Sequence, residues 1–255
     1  MAEVFTLTRR ALLLSAASMP LMAAKPLAGG TAGLVEPRMR LAAASGRDTA
    51  PAVAVTLDAC DGGCDLRILD LLIAEAIPAT VFVSGLWLRA NPGHFQTLLA
   101  HPDLFEIGDH GARHEAAIDR PMLLWKVVHA AGSLPGVARE VGEGAALLEA
   151  AGAPRPKWYR AAAALYSPEA LRTIVSLGYR VAGFSLNADA GASLGQAETA
   201  RRIAAARDGD VLIAHLNQPL RPAGAGVAEG LKVLKEKGVR FLRLSDPAAV
   251  VVAEG

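Results

Sequence analysis

Two histidines four residues apart, in His110-Gly-Ala-Arg-His114, are the strongest chemical signal in the chain. On a helical turn an i,i+4 pair puts both imidazoles on one face, the spacing by which H-x-x-x-H pairs hold a metal. Two imidazoles and one carboxylate would leave a coordination position open, as a catalytic divalent metal requires. Other polar residues recur at the ends of short apolar runs. Asp58 follows 53–57, Ser84 follows 79–83, and Asp109, His110 and His114 follow 105–107. Arg160 ends Trp158-Tyr-Arg160, Asn187 and Asp189 follow 179–186, and His215 ends 211–215. One polar residue at a strand end is commonly a turn or helix cap. Carboxylates, imidazoles and a guanidinium arriving from six strand ends instead make up the base, acid and orienting group of a hydrolytic site. His94, His101 and His129 fall in helical or connecting stretches and read as surface or satisfied core residues.

The elements that must position these groups alternate along the chain. Strands are expected at 53–57, 79–83, 105–107, 158–160, 179–186, 211–215 and 239–244, from β-branched and apolar runs bounded by turn residues. Between the first two, Leu66, Ile68, Leu69, Leu72 and Ile73 form a helical stripe closed by Pro78. Further helices are expected near 91–100, 136–151, 168–177, 196–206 and 226–237. Such alternation argues for parallel strands with crossover helices, and seven strands fit a barrel better than a wide open sheet. A doubly wound sheet is the runner-up. It normally shows a G-x-G-x-x-G loop after its first strand, which the adjacent Gly62 and Gly63 do not supply. In a parallel barrel the active site lies at the carboxyl ends of the strands, where the polar residues fall.

Composition bounds the rest. A chain of 255 residues with 52% hydrophobic content has ample material for a core. Lys and Arg total 26 against 25 Asp and Glu, so no basic excess or stripe suggests a nucleic-acid partner. The start of the chain, Arg9-Arg10 followed by an apolar run from Ala11 to Ala24, has the layout of a secretory signal of twin-arginine type. Pro20 interrupts that run, which is too short for the roughly 20 residues of a bilayer span. The expectation is cleavage near Ala24, export to the periplasm or medium, and no permanent membrane span. The signal would cover 1–24, a linker 25–50 and one domain 51–255. The two cysteines, Cys60 and Cys64, allow a small-loop disulfide or a thiolate metal ligand. A nucleophilic cysteine lacks a second base arranged for it in sequence.

Several segments together resemble a known family. They are Val53-Ala-Val-Thr-Leu-Asp58 with its acidic Gly-rich loop, Gly108-Asp-His110-Gly-Ala-Arg-His114, Trp158-Tyr-Arg160, Gly183-Phe-Ser-Leu-Asn187-Ala-Asp189 and Ile213-Ala-His215-Leu-Asn217-Gln-Pro219. In order and spacing, over about residues 51 to 246, they resemble the polysaccharide deacetylases, the NodB-homology group or carbohydrate esterase family four. Asp58-Ala59-Cys60 looks like a branch with Asp-Ala-Cys where most members have Asp-Asp-Gly. The resemblance implies a single-domain, distorted (β/α)7-type barrel that removes N- or O-linked acetyl groups from a carbohydrate or amino sugar. It also implies a divalent metal, often zinc.

Carried over by position, Asp58 matches the general base, His110 and His114 the metal ligands, Arg160 the arginine that orients the base, and His215 the leaving-group acid. Asp189 would pair with His215 or Arg160, and Asn187 and Asn217 would bind substrate. Two departures follow. Ala59 stands where the family's metal-binding aspartate usually lies, so a third ligand must come from elsewhere, with Asp65 preferred and Asp61 the alternative. Arg160 is followed by Ala-Ala-Ala where Pro or Gly is common. A catalytically impaired carbohydrate-binding barrel and a C–N hydrolase acting on a small amide are the competing readings. The resemblance leaves the acetylated substrate and the oligomeric state open.

Overall fold

The structure, a computed structural model, describes residues 24–26, 33–42 and 50–253. The expected signal segment therefore lies almost wholly outside the described residues. Strand β1 (Ala24–Pro26) pairs antiparallel with β2 (Val35–Pro37), and β3 (Met39–Leu41) follows. Then come β4 (Ala52–Ala59), α1 (Leu66–Ala74), β5 (Ala79–Val83), α2 (Gly85–Ala90), α3 (Pro92–Leu99) and β6 (Phe105–Asp109). A hairpin of β7 (Leu123–Leu124) and β8 (Val128–His129) precedes α4 (Leu134–Ala150), β9 (Trp158–Tyr159) and α5 (Pro168–Ser176). The chain ends with β10 (Arg180–Val181), β11 (Leu186–Asn187), α6 (Gln196–Ala204), β12 (Val211–His215), α7 (Ala223–Glu236), β13 (Arg240–Leu242) and β14 (Val251–Ala253). Among the described residues no helix is long and apolar enough to cross a membrane.

Seven parallel strands run in the order β10-β9-β6-β5-β4-β12-β11, and β13 also pairs with β4. Laid flat, seven strands would span about 29 Å at about 4.8 Å per step. Yet β10 and β11, at opposite ends of that order, are separated in sequence by only residues 182–185. Five Cα steps reach at most about 18 Å, so the sheet must curl until its edges nearly meet. This is the distorted (β/α)7-type barrel.

The single strand expected over 179–186 is thus broken in two. At the break Gly183 packs against the strap that precedes β4: a Cβ there would lie 2.2 Å from the Pro37 carbonyl oxygen. Arg38 bridges to Phe184, and its guanidinium donates to the Ser185 carbonyl at 2.7 Å.

That strap corrects the reading of 25–50 as linker. Its described part buries Leu34, Met39 and Leu41, and β3 pairs antiparallel with β14. The barrel unit therefore starts before residue 51. An Ala-, Gly- and Pro-rich segment without a period hid short strands whose partners lie elsewhere in the chain: β3 pairs with β14, and Arg38 and Arg40 bridge to Phe184 and Asp210.

Strand alternation decides which side chains enter the barrel. On β4, Val53, Val55, Leu57 and Ala59 pack outward with helix residues such as Ile68, Leu72, Trp87 and Leu231. Ala54 packs inward with Phe82, Trp158, Val211 and Ile213. By the same period of two, Asp58, His110, Arg160 and His215 are placed on the inner side at the strands' carboxyl ends. Asp109 falls on the outer side, toward α4.

Candidate active site

Asp58 is 4% exposed and Arg160 is fully buried. Arg160 Nη1 donates to Asp58 Oδ1 at 2.8 Å, Nη2 to the Gly183 carbonyl at 3.0 Å, and Nε to the Ala182 carbonyl at 3.5 Å. Its guanidinium carbon lies 4.3 Å from the Phe82 ring centroid. The break between β10 and β11 frees the two carbonyls that hold this arginine. Burial pushes the Asp58 carboxyl up, but Arg160, His110 and His215 outweigh it and hold the group below the usual carboxylate range. Oδ2, the oxygen not bound by Arg160, lies 3.8 Å from His110 Nε2.

The segment 110–114 is not the helical turn its spacing suggests. It is a loop with Gly111 at φ +83° and His114 at φ +59°. The two imidazoles still converge, with ring centroids 4.9 Å apart. The loop is held from behind by Glu140 of α4, which is 1% exposed and accepts from the Arg113 N–H at 2.8 Å and the Glu115 N–H at 3.2 Å. Sequence reasoning missed this residue. The available signal was a carboxylate on the helix face otherwise made of Val137, Val141, Gly144, Ala145 and Leu148. Asp109 closes the same turn by accepting from the Gly111 N–H at 2.8 Å, and burial pushes its carboxyl up to about 8.

His110 Nδ1 lies 2.7 Å from the Arg160 carbonyl. A carbonyl can only accept, so Nδ1 carries a proton and Nε2 is the nitrogen turned toward the site. Cys60 Sγ lies 3.5 Å from that Nε2, and the donor atoms of Cys60, His110 and His114 all fall within 4.8 Å of one another. Zinc bonds of about 2.3 Å to sulfur and 2.0–2.1 Å to nitrogen, at a tetrahedral angle, give an S···N edge of about 3.5 Å. These residues therefore fit a divalent metal. The charge pattern agrees: burial alone would push His110 down, but Asp58 and Cys60 raise it to about 9. A negative potential that draws a proton onto a buried imidazole would equally attract a cation.

Neither carboxylate expected as third ligand is where that role requires. Asp65 is the N-cap of α1. Its side chain accepts from the Arg67 backbone N–H at 3.1 Å and forms a two-pronged ion pair with the Arg67 guanidinium, at 2.8 Å and 2.5 Å. Arg67 in turn donates to the Pro219 and Arg221 carbonyls, so the pair clamps the segment after β12. Asp61 is exposed, and its carbonyl accepts from Asn217 Nδ2 at 2.8 Å. Asp65→Ala is accordingly expected to cost roughly 1–2 kcal/mol, seen as a lowered melting temperature, and to leave metal affinity unchanged. A parallel loss of bound metal would return Asp65 to the site.

His215 pairs with Asp189 rather than leaving that carboxylate to Arg160. Nδ1 is 3.0 Å from Asp189 Oδ1, and Oδ2 accepts the His215 backbone N–H at 2.8 Å. Burial pushes His215 down, but Asp189 and Cys60 outweigh it and hold the imidazole well above its ordinary value. The two asparagines expected to bind substrate have local partners. Asn187 Oδ1 accepts from the Ala190 N–H at 2.8 Å, and Asn217 is buried against the 60–64 loop. The four alanines after Arg160, residues 161–164, put Ala163 and Ala164 at φ +63° and +51°, the left-handed region where glycine is favoured.

No curated protein sequence matches the chain. Several solved structures share its fold. A carbohydrate esterase family 4 pseudoenzyme from Bacillus anthracis, BA3943, superposes with a TM-score of 0.64 at 17% identity, over 80% of this chain and 67% of that one. A family 4 carbohydrate esterase from Streptomyces lividans, in complex with acetate, gives 0.62 at 17% identity, over 80% and 98%. The peptidoglycan deacetylase PdaC from Bacillus subtilis gives 0.61 at 21% identity, over 77% and 89%. A sequence profile of the polysaccharide deacetylases matches residues 45–182, more than half of the chain, which therefore belongs to that family of hydrolases.

Proposed function

We propose that this protein is a metal-dependent deacetylase that cleaves an N- or O-linked acetyl group from a carbohydrate or amino sugar. The observation that carries the reading is the placing of two polarised groups around one set of metal donors. Asp58, held ionised by Arg160, stands beside His110, and His215, held by Asp189, reaches the same donors through Cys60. When bound, a divalent metal such as zinc would polarise the acetyl carbonyl and lower the pKa of a water, toward about 7 in favourable sites. His110 and His114 would hold it. Asp58 would take the attacking water's proton on Oδ2, because Oδ1 is occupied by Arg160. As the water oxygen bonds to the acetyl carbon, the C–N or C–O bond to the sugar breaks. His215 Nε2 would give its proton to the departing atom while Asp189 holds Nδ1–H in place. The Arg9-Arg10 segment supports export, so that substrate would be met outside the cytoplasm.

A leaving group that needs no proton separates the role of His215 from simple damage. His215→Ala is expected to lower turnover of an N-acetylated sugar by about 10²- to 10⁴-fold. It should largely spare hydrolysis of an aryl acetate, whose phenolate leaves unprotonated. Equal losses on both substrates would remove the acid role. The reading as a whole is tested by acetate and free-amine release from a panel of N- and O-acetylated oligosaccharides. One observation favours a second reading, a barrel that binds glycans without turnover: Ala59, buried at the end of β4, supplies no carboxylate to a metal. Binding of those oligosaccharides with no acetate released would support it.

A further inference from the structure

We propose that the Cys60 sulfur is the third metal ligand, making a Cys-His-His centre that selects zinc-like ions over magnesium, calcium or manganese. The proposal rests on the metal dependence argued above and specifies the chemistry of that same site.

Geometry carries it. Among the described residues, Cys60, His110 and His114 are the one group of three or more Cys, His, Asp or Glu residues whose donor atoms converge closely enough to share an ion. Asp65 is committed to the α1 cap and Arg67, while Asp61 is exposed. Cys60 and Cys64 are both buried and unbridged, so the sulfur is not consumed by a disulfide.

The backbone that presents Cys60 is also fixed to an unusual degree. Four successive carbonyls of its loop each accept from a different side chain. The Ser84 hydroxyl donates to Cys60, Asn217 Nδ2 to Asp61 at 2.8 Å, Asn91 Nδ2 to Gly62 at 2.7 Å, and the Trp87 indole N–H to Gly63 at 3.1 Å. The Ser84 hydroxyl meanwhile accepts from the Trp87 N–H and caps α2. A loop held at four successive carbonyls leaves the sulfur little freedom, the kind of support a coordinating side chain needs. The proton of His110 Nδ1 on the Arg160 carbonyl is the outer-shell bond that orients a ligating imidazole.

A thiolate carries the same single negative charge as the carboxylate missing at Ala59, so the charge balance at a divalent ion is kept. The donor is softer, which favours zinc and cobalt over ions that prefer oxygen. Ala59 packs outward with the helices, whereas Cys60, one residue on, brings its sulfur within 3.5 Å of His110 Nε2.

The test uses the full chain stripped with a chelator and titrated with cobalt. One equivalent is expected to bind and to give a sulfur-to-cobalt charge-transfer band in the near ultraviolet. Cys64→Ser should keep the band. Cys60→Asp should keep cobalt bound but lose the band and gain relative affinity for manganese. Cys60→Ala should weaken zinc binding by more than the roughly 10- to 100-fold typical of losing an outer-shell partner. Bound cobalt without the band in the unaltered protein, a band that survives in Cys60→Ala, or no uptake of cobalt or zinc would each overturn the proposal. The unaltered protein's spectrum decides even if the variants do not fold. A band without acetate release overturns the deacetylase reading alone, and acetate release without a band overturns the sulfur ligand alone.

Discussion

Asp58→Asn is expected to lower turnover by about 10²- to 10⁴-fold while the protein still takes up its metal. An asparagine keeps the size of the side chain and an oxygen for Arg160, but it has no lone pair basic enough to take a proton from water. The metal should stay because the donors that converge are Cys60, His110 and His114, while Asp58 is paired with Arg160 and is not one of that group. Turnover and metal content measured on the same preparation check both halves. Retained turnover would remove Asp58 as base, and lost metal would make it a ligand.

Replacing Arg160 should damage the fold as well as the chemistry. Arg160→Met leaves the Asp58 carboxylate buried without its counter-charge, a loss of about 3–5 kcal/mol in comparable buried pairs. It also strips hydrogen bonds from the Ala182 and Gly183 carbonyls, the two groups exposed by the break between β10 and β11. For a chain of this size the melting temperature should fall on the order of 10 °C. The double variant with Asp58→Asn should regain part of that loss, because the unpaired charge is gone. Thermal melts of the two single variants and the double variant check this. Strict additivity would mean that the pair does not interact in the way its 2.8 Å contact implies.

The parts of this site that sequence revealed are those set by strand periodicity. Asp58, Arg160 and His215 end apolar runs whose alternation puts them inside the barrel, and no distant partner is needed to read that from the sequence. The parts it hid depend on contacts far along the chain. His110 and His114 converge through a loop with two left-handed residues, supported by Glu140 some 30 residues onward, and not through a helical turn. The broken strand at 182–185 and the buried strap before β4 arise from closing the sheet, a constraint that no local window contains. Asp65 illustrates the ambiguity of a carboxylate before a helix. Ligand and N-cap look alike in sequence, and Arg67 two residues later, together with the turn it clamps, decides for the cap.

If the residues around Asp58 form a deacetylase site, they hydrolyse an acetyl bond on a sugar. The most direct measurement is acetate released from acetylated oligosaccharides by the zinc-loaded full chain, compared with Asp58→Asn loaded in the same way. Steady release of acetate is expected from the first and, at equal metal content, loss of that release in the second. No acetate from either protein, or equal acetate from both, would contradict it.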